Sequence, residues 1–206
     1  MRLVVGMSGA SGAIYGVRIL EVLKQMQIET HLVMSDSAKR TIVYETDRSI
    51  DEIKALATHV HELNDVGACI SSGSFKHDGM VIAPCSIKTL SALAHSFNTN
   101  LLIRAADVTL KERRRLVLMV RETPLHLGHL RLMVQVTENG AVLVPPLPAC
   151  YHRPQTIDDP VNQPVNKGAT IDPVQGIWKG VDDYVYVNSH KAIASFSAYS
   201  IMNQPM

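Results

Sequence analysis

Long apolar runs are missing from this chain: none approaches the roughly 20 residues that a membrane-crossing helix needs. That excludes a bilayer-spanning role. Met1-Arg2 followed by a short apolar stretch is also too brief for a secretory signal, so the expected location is cytoplasmic. An excess of one charge sign is missing too. Lys and Arg total 20 against 19 Asp and Glu, for a formal net charge of +1, which leaves no field to draw nucleic acid or an anionic membrane surface. Any charged ligand must be held locally. Cysteine is scarce: Cys69, Cys85 and Cys150 are an odd number without metal-like spacing, in or beside apolar stretches, which reads as buried free thiols without chemistry. No internal repeat, linker or low-complexity block interrupts the chain ahead of Ile157.

What is present is a length of 206 residues and a hydrophobic content of 46%, enough for one domain with a sizeable core. Short apolar runs at Leu3–Val5, Thr30–Met34, Met80–Ala83, Leu116–Val120 and Ala141–Val144 read as buried strands. Between them, helical patterns fall at Ala13–Met26, Ser37–Tyr44, Ser49–Thr58, Ile87–Ser96, Ala105–Arg114 and Leu125–Glu138. This βαβ rhythm predicts an α/β, doubly wound, mostly parallel sheet covered on both faces, a three-layer Rossmann-like sandwich. Ligands of such sheets sit beyond the carboxyl ends of the strands, so the informative turns are Gly6–Gly12, Ser35–Ser37, Pro84–Thr89, Arg121–Pro124 and Pro145–Tyr151.

In the first turn, "GMSGASG", Gly9 and Gly12 let the backbone approach a ligand, while Ser8 and Ser11 offer hydroxyls just ahead of a helix whose amino end attracts anions. The spacing does not fit the dinucleotide fingerprint G-x-G-x-x-G, and the P-loop lysine is missing; a mononucleotide phosphate fits better. The alternative is a tight turn without a ligand. "APCSIKTLSALA" repeats that physics, because Ser86 is placed to cap a helix with Lys88 and Thr89 in its first turn. Lys88 opposes the helix dipole, which suits an anion or a ring edge, though a solvated lysine is as good a reading. In "VRETPL", Arg121 would clamp a phosphate and Glu122 carry a proton; the plainer expectation, and the preferred one from these residues alone, is an Arg121–Glu122 ion pair at a strand end.

Other features read as structural. His126 and His129 share a helix face, but no third ligand or HExxH pattern accompanies them. The basic run "LKERRRL" reads as a solvated face or a partner for a helix carboxyl end. "SSGSF" reads as a flexible polar loop ahead of a strand, with a ligand role that spacing alone does not establish.

Taken together, "GMSGASGAIYGVRILE", "ISSGSF", "APCSIKTLSALA", "RAADVTLKERRRLVLMVRETPLHLGHL" and "PPLPACYHRPQTIDD" closely resemble the UbiX-type flavin prenyltransferase family, in order, through residues 1–167. The resemblance implies a flavodoxin-like FMN-binding domain over 1–167, followed by an atypical tail over 168–206. It also implies a homo-oligomer, commonly a dodecamer, that binds reduced FMN and dimethylallyl phosphate at subunit interfaces. Its product, prenylated FMN, serves a UbiD-type decarboxylase partner, in many bacteria for ubiquinone biosynthesis. By matching motif, Gly9, Ala10, Ser11, Ser35, Ser86, Ile87, Lys88, Thr89 and Arg121 would bind FMN, and Tyr151 and Lys167 would hold the prenyl phosphate. Arg104, Lys111 and Ser72, some from neighbouring subunits, would line the substrate chamber with the catalytic Ser11, Glu45 and Glu122. No Asp-rich metal motif is present, so the implied transfer needs no metal.

The chain departs from the family where Pro160 and Pro164 fall in what is usually an uninterrupted helix, and a proline inside that helix would cost about 3 kcal/mol. Beyond residue 168 the family's tail gives way to "GIWKGVDDYVYVNSHKAIASFSAYSIMNQPM", in which Trp178 does not match the family's tryptophan and "DYVYV" reads as an added strand or an interface segment. Two further functions compete: an FMN-dependent aromatic acid decarboxylase and a non-catalytic flavin carrier. The first is weakened by "APCSIKTLS" and by the lack of any histidine between residues 1 and 30. A nicotinamide-binding oxidoreductase lacks its glycine fingerprint.

Overall fold

Apolar residues on successive positions make the inner strands two-sided, and the sheet forms because both of their faces must be covered. The computed structural model describes residues 1–146. Along them run β1 (Arg2–Met7), α1 (Ala13–Gln25), β2 (Glu29–Met34), α2 (Asp36–Glu45), α3 (Ile50–Lys54), β3 (His59–His61), a 3-10 turn (Cys69–Ser71), β4 (Gly79–Cys85), α4 (Ile87–Ala94), α5 (Leu101–Lys111), β5 (Arg115–Val120), α6 (Leu127–Glu138) and β6 (Val142–Leu143). The 6 strands stand in the order β3-β2-β1-β4-β5-β6, and every pairing is parallel. Among the described residues the sheet is parallel throughout, in keeping with the expected doubly wound fold. Without the short edge strand β3, the order is that of flavodoxin-like folds, whose switch point lies between β1 and β4.

Alternation sends Val4, Val33, Met80, Ile82, Leu116 and Leu118 to one face, where they pack with Leu90 and Leu93 of α4, Leu102 and Ala106 of α5 and Val136 of α6. On the opposite face α1 lies close against the sheet: a Cβ on Gly16 would stand 2.2 Å from the Ala83 carbonyl oxygen. The register in which α1 leaves β1 is therefore held by a contact that only glycine permits.

The helix ends differ from expectation for local reasons. α1, α4 and α5 stop one to three residues early, and Gln27, Ser96 and Arg113 adopt φ of 55, 50 and 56 just beyond them. These are left-handed helix ends without the glycine that would announce them. α5 starts at Leu101 instead of Ala105 because the Asn100 side chain accepts a hydrogen bond from the Ile103 N–H at 3.1 Å. Strand β3, His-Val-His, carries none of the apolar signal that marked the other strands. Cys85 is buried, as expected, but Cys69 is exposed, because it opens the 3-10 turn at the surface. The basic run is not simply solvated: Arg114 donates to the Phe75 and Gly73 carbonyls at 2.7 Å each. The expectations for Cys150, Tyr151, Lys167 and the tail lie outside the described residues. Among the described residues, no helix is long and apolar enough to cross a membrane.

Candidate functional site

The carboxyl ends of β2, β1 and β4, which are neighbours in the sheet, each lead within a few residues into a helix: α2, α1 and α4. The amino ends of these helices therefore gather at one edge, beside the switch point, with their unpaired N–H groups and positive dipole ends. Ser35 caps α2 by accepting from the Ala38 N–H at 3.1 Å, and its own N–H donates to the Met7 carbonyl at 3.0 Å, tying the second turn to the first. Ser86 caps α4, accepting from the Thr89 N–H at 3.3 Å and donating to the Thr89 hydroxyl at 3.2 Å. Lys88 is exposed in the first turn of α4.

α1 is capped differently. Gly12 precedes it with φ 96, a left-handed conformation suited to glycine, and it has no side chain to cap with. The Glu45 carboxylate, from the last residue of α2, accepts instead from the Gly12 and Ala13 N–H groups at 2.7 and 2.9 Å. Burial alone would favour the neutral acid. The hydrogen bond from Ser11, those from the two N–H groups and the positive charge of Arg121 outweigh it and hold Glu45 below the ordinary carboxylate value. Ser11, Glu45 and Arg121 thus come together across three separate turns. Arg121 also lies near enough to Tyr15, on α1, to oppose the rise in the Tyr15 pKa that burial causes. Its backbone N–H donates to the Cys85 carbonyl at 3.1 Å, so the fourth turn is strapped to the third.

Two expectations are corrected here. The Ser8 hydroxyl is not offered to a ligand: it is buried, donates to the Pro84 carbonyl at 3.0 Å and accepts from the Ser86 N–H at 2.8 Å. Among the described residues Arg121 and Glu122 form no ion pair; the Glu122 carboxylate accepts from the Thr123 N–H at 3.1 Å and is exposed. A strand end at the surface lets the two neighbouring side chains diverge.

Ser72, Arg104 and Lys111 are not brought to these turns within the chain. Lys111 pairs with Glu112, Ser72 bonds Ser74 at 2.8 Å, and Arg104 reaches the Ser71 carbonyl at 3.2 Å and Asp107 at 3.3 Å. Ser72 and Lys111 lie ahead of β4 and β5, at the amino ends of strands whose carboxyl ends carry Ser86 and Arg121. A strand of 6 residues separates such groups by about 20 Å.

Sequence reasoning did not single out Tyr15, and it marked the turn that holds Ser37 without foreseeing the contact of Ser37 with Gly9. A Cβ on Gly9 would stand 2.2 Å from Ser37 Cβ, so Gly9 serves a close approach between turns as well as any ligand. The signal for Tyr15 was its place in the first turn of α1, directly after the glycine-serine turn. His126 and His129 stay structural: His126 caps α6, accepting from the Gly128 N–H at 3.0 Å, and the two rings lie 3.6 Å apart.

A flavodoxin-like sheet whose switch-point turns converge as helix amino ends defines the class of mononucleotide-type α/β proteins. The Flavoprotein family profile matches residues 1–159, and a profile for the carboxyl-terminal region of the ACS/CODH beta subunit matches residues 154–206. Flavin prenyltransferase UbiX of Thauera aromatica is 77% identical over 167 residues, 81% of this chain and 86% of that protein. The crystal structure of AnUbiX (PadA1) in complex with FMN and dimethylallyl pyrophosphate is similar at a TM-score of 0.78 and 52% identity, over 79% of this chain and 86% of that one. A dodecameric FMN-dependent UbiX-like decarboxylase from Escherichia coli O157:H7 gives 0.77 and 50%, over 78% and 87%. The chain belongs to the flavoprotein family, in its branch of UbiX-type flavin prenyltransferases.

Proposed function

We propose that this chain joins the dimethylallyl group of dimethylallyl phosphate to N5 and C6 of reduced FMN, and that the prenylated flavin passes to a UbiD-type decarboxylase. The observation that carries this reading is that Ser11, Glu45 and Arg121 come together at the amino end of α1, on the sheet edge from which α2 and α4 also start. A phosphate-bearing flavin fits that edge: N–H groups and the hydroxyls of Ser35, Ser86 and Thr89 supply donors, and Arg121 supplies charge. Reduced FMN, when bound, supplies a nucleophilic ring edge.

The chain's own residues do the rest. Gly9 and Ala10 admit the ligand close to backbone, while Ser35, Ser86, Ile87, Lys88 and Thr89 hold it along the second and third turns. As the allylic carbon–oxygen bond breaks, negative charge builds on the departing phosphate. Arg121 neutralises it, a task that the family resemblance also assigns to Tyr151 and Lys167. Ser72, Arg104 and Lys111 reach the same chamber from a neighbouring copy in a homo-oligomer, on the pattern of the dodecameric Escherichia coli O157:H7 structure. Glu45, held ionised, orients the Ser11 hydroxyl and places a negative charge near the allylic cation. Glu122, exposed and not paired with Arg121 among the described residues, accepts the proton lost from the flavin ring.

The test is anaerobic incubation of the purified protein with reduced FMN and dimethylallyl phosphate, followed by mass spectrometry of the extracted flavin. A flavin heavier by one prenyl unit is expected. Bound but unmodified FMN would overturn the transferase reading and leave a flavin carrier.

A further inference from the structure

Away from the crevice, the β2–β3 edge carries a row of imidazoles. The parallel register sets His31 opposite His59 and Val33 opposite His61, so alternation puts all the histidines of this edge on one face. His31 is 3% exposed, and its ring centroid lies 4.6 Å from that of His59 and 5.1 Å from that of His61. Its Nδ1 stands 2.8 Å from His61 Nε2. The 3-10 turn brings Cys69 to the same place: one ligand atom each of His31, His61 and Cys69 lies within 4.8 Å of the others.

We propose that His31 Nδ1, His61 Nε2 and the Cys69 thiolate bind one divalent ion of the zinc class, pinning edge strand β3 and the Cys69–Ser71 turn onto β2. Two imidazoles and a thiolate are borderline-soft donors of the kind zinc prefers over harder cations. Metal–ligand bonds of about 2.0–2.3 Å in a tetrahedral site place ligand atoms about 3.4 Å apart, so the facing nitrogens need to part by only about half an ångström. Binding sends the thiol proton of Cys69, and any proton shared between the rings, to solvent.

The surroundings are those of a ligating histidine. The other ring nitrogen of His31, Nε2, stands 3.2 Å from Glu29 Oε1, and Glu29 is held in turn by Arg2 Nε at 2.7 Å. A carboxylate on the far nitrogen fixes the tautomer that presents Nδ1 to a metal. Glu29, His31 and His59 form a second trio around the same ring; the thiolate favours the first for a soft ion. Cys69 is exposed, which gives the ion an entry path and leaves the fourth position to water.

The test uses the full chain, stripped with a chelator and titrated with Co2+ as a zinc probe. The expected result is saturable binding with a thiolate-to-cobalt charge-transfer band that Zn2+ bleaches by displacement. Cys69→Ser and His61→Ala each abolish the band or weaken binding by about tenfold or more, whereas Glu29→Gln keeps the band and weakens binding about tenfold to hundredfold. Cys69 is exposed, so its serine variant folds, and Zn2+ raises the thermal midpoint of the parent chain but not of Cys69→Ser. Absence of the band in the parent chain, or its survival in Cys69→Ser, overturns the assignment.

Discussion

Ser8 spends its hydroxyl inside the protein, bridging the Pro84 carbonyl and the Ser86 N–H while 2% exposed. Ser8→Ala leaves that N–H without a partner, so unfolding stability should fall by about 1–3 kcal/mol in denaturant titration. FMN affinity should fall as well, because the same bridge holds the first turn to the third. His77 sets a pH limit: burial, then the charge of Arg114, lowers its pKa from 6.5 to about 4, against a bond to the Gly79 carbonyl that raises it. The folded ring stays neutral where the unfolded one takes a proton. Its contribution is therefore intact above pH 6.5 and is lost as pH falls to about 4, by about 3 kcal/mol at most. Stability curves of the parent chain and of His77→Gln should diverge over that window, and parallel curves would remove His77 as the cause. His31 and His61, also lowered by burial, add a loss of the same sign.

Helix α1 is the element on which the site hangs, since its amino end meets Glu45 and its body lies on β1 and β4. Gly16→Ala would set a methyl 2.2 Å from the Ala83 carbonyl oxygen, an atom that cannot rotate away, and 2.6 Å from Met7 Cε. The helix must lift, at a cost of about 1–3 kcal/mol. A drop in thermal midpoint together with weaker FMN binding is the expected pair of results, because the lift moves Gly12 from the Glu45 carboxylate. The elements themselves were legible wherever burial is two-sided, as along β1, where the successive residues Leu3, Val4 and Val5 are each 1% exposed or less. β3 was not, because a short edge strand is held by its neighbour's hydrogen bonds and needs no apolar side chains.

At the scale of the molecule, the ends of the sheet matter. Lys111 belongs to the amino-end side of β5 and Arg121 to its carboxyl end, about 20 Å apart along the strand. If they share a chamber, they do so only between copies. Lys111→Ala and Arg121→Ala should each be nearly inactive alone, while oligomers co-expressed from both should recover prenyl transfer well above either parent. Recovery is expected because some chambers then combine an intact Lys111 with an intact Arg121. No recovery in verified mixed oligomers would place both residues' roles within one chain.

The alternation of apolar strands and amphipathic helices, the glycine-serine turn and the capping serines are local facts, and from them the sequence alone determined the parallel α/β sheet and the turns that form its working edge. Local patterns suffice there because burial and capping act over a few residues. What the tertiary structure decided depends on contacts distant along the chain. Glu45 reaches across 33 positions to cap α1 beside Gly12, Ser8 turns inward across 78 to hold Ser86, and His31 meets His61 and Cys69 only once β2, β3 and the 3-10 turn are side by side. Hydrogen bonds and ligand geometry act over a few ångströms of space, and no periodicity in the sequence records which distant residues the fold will bring within that reach.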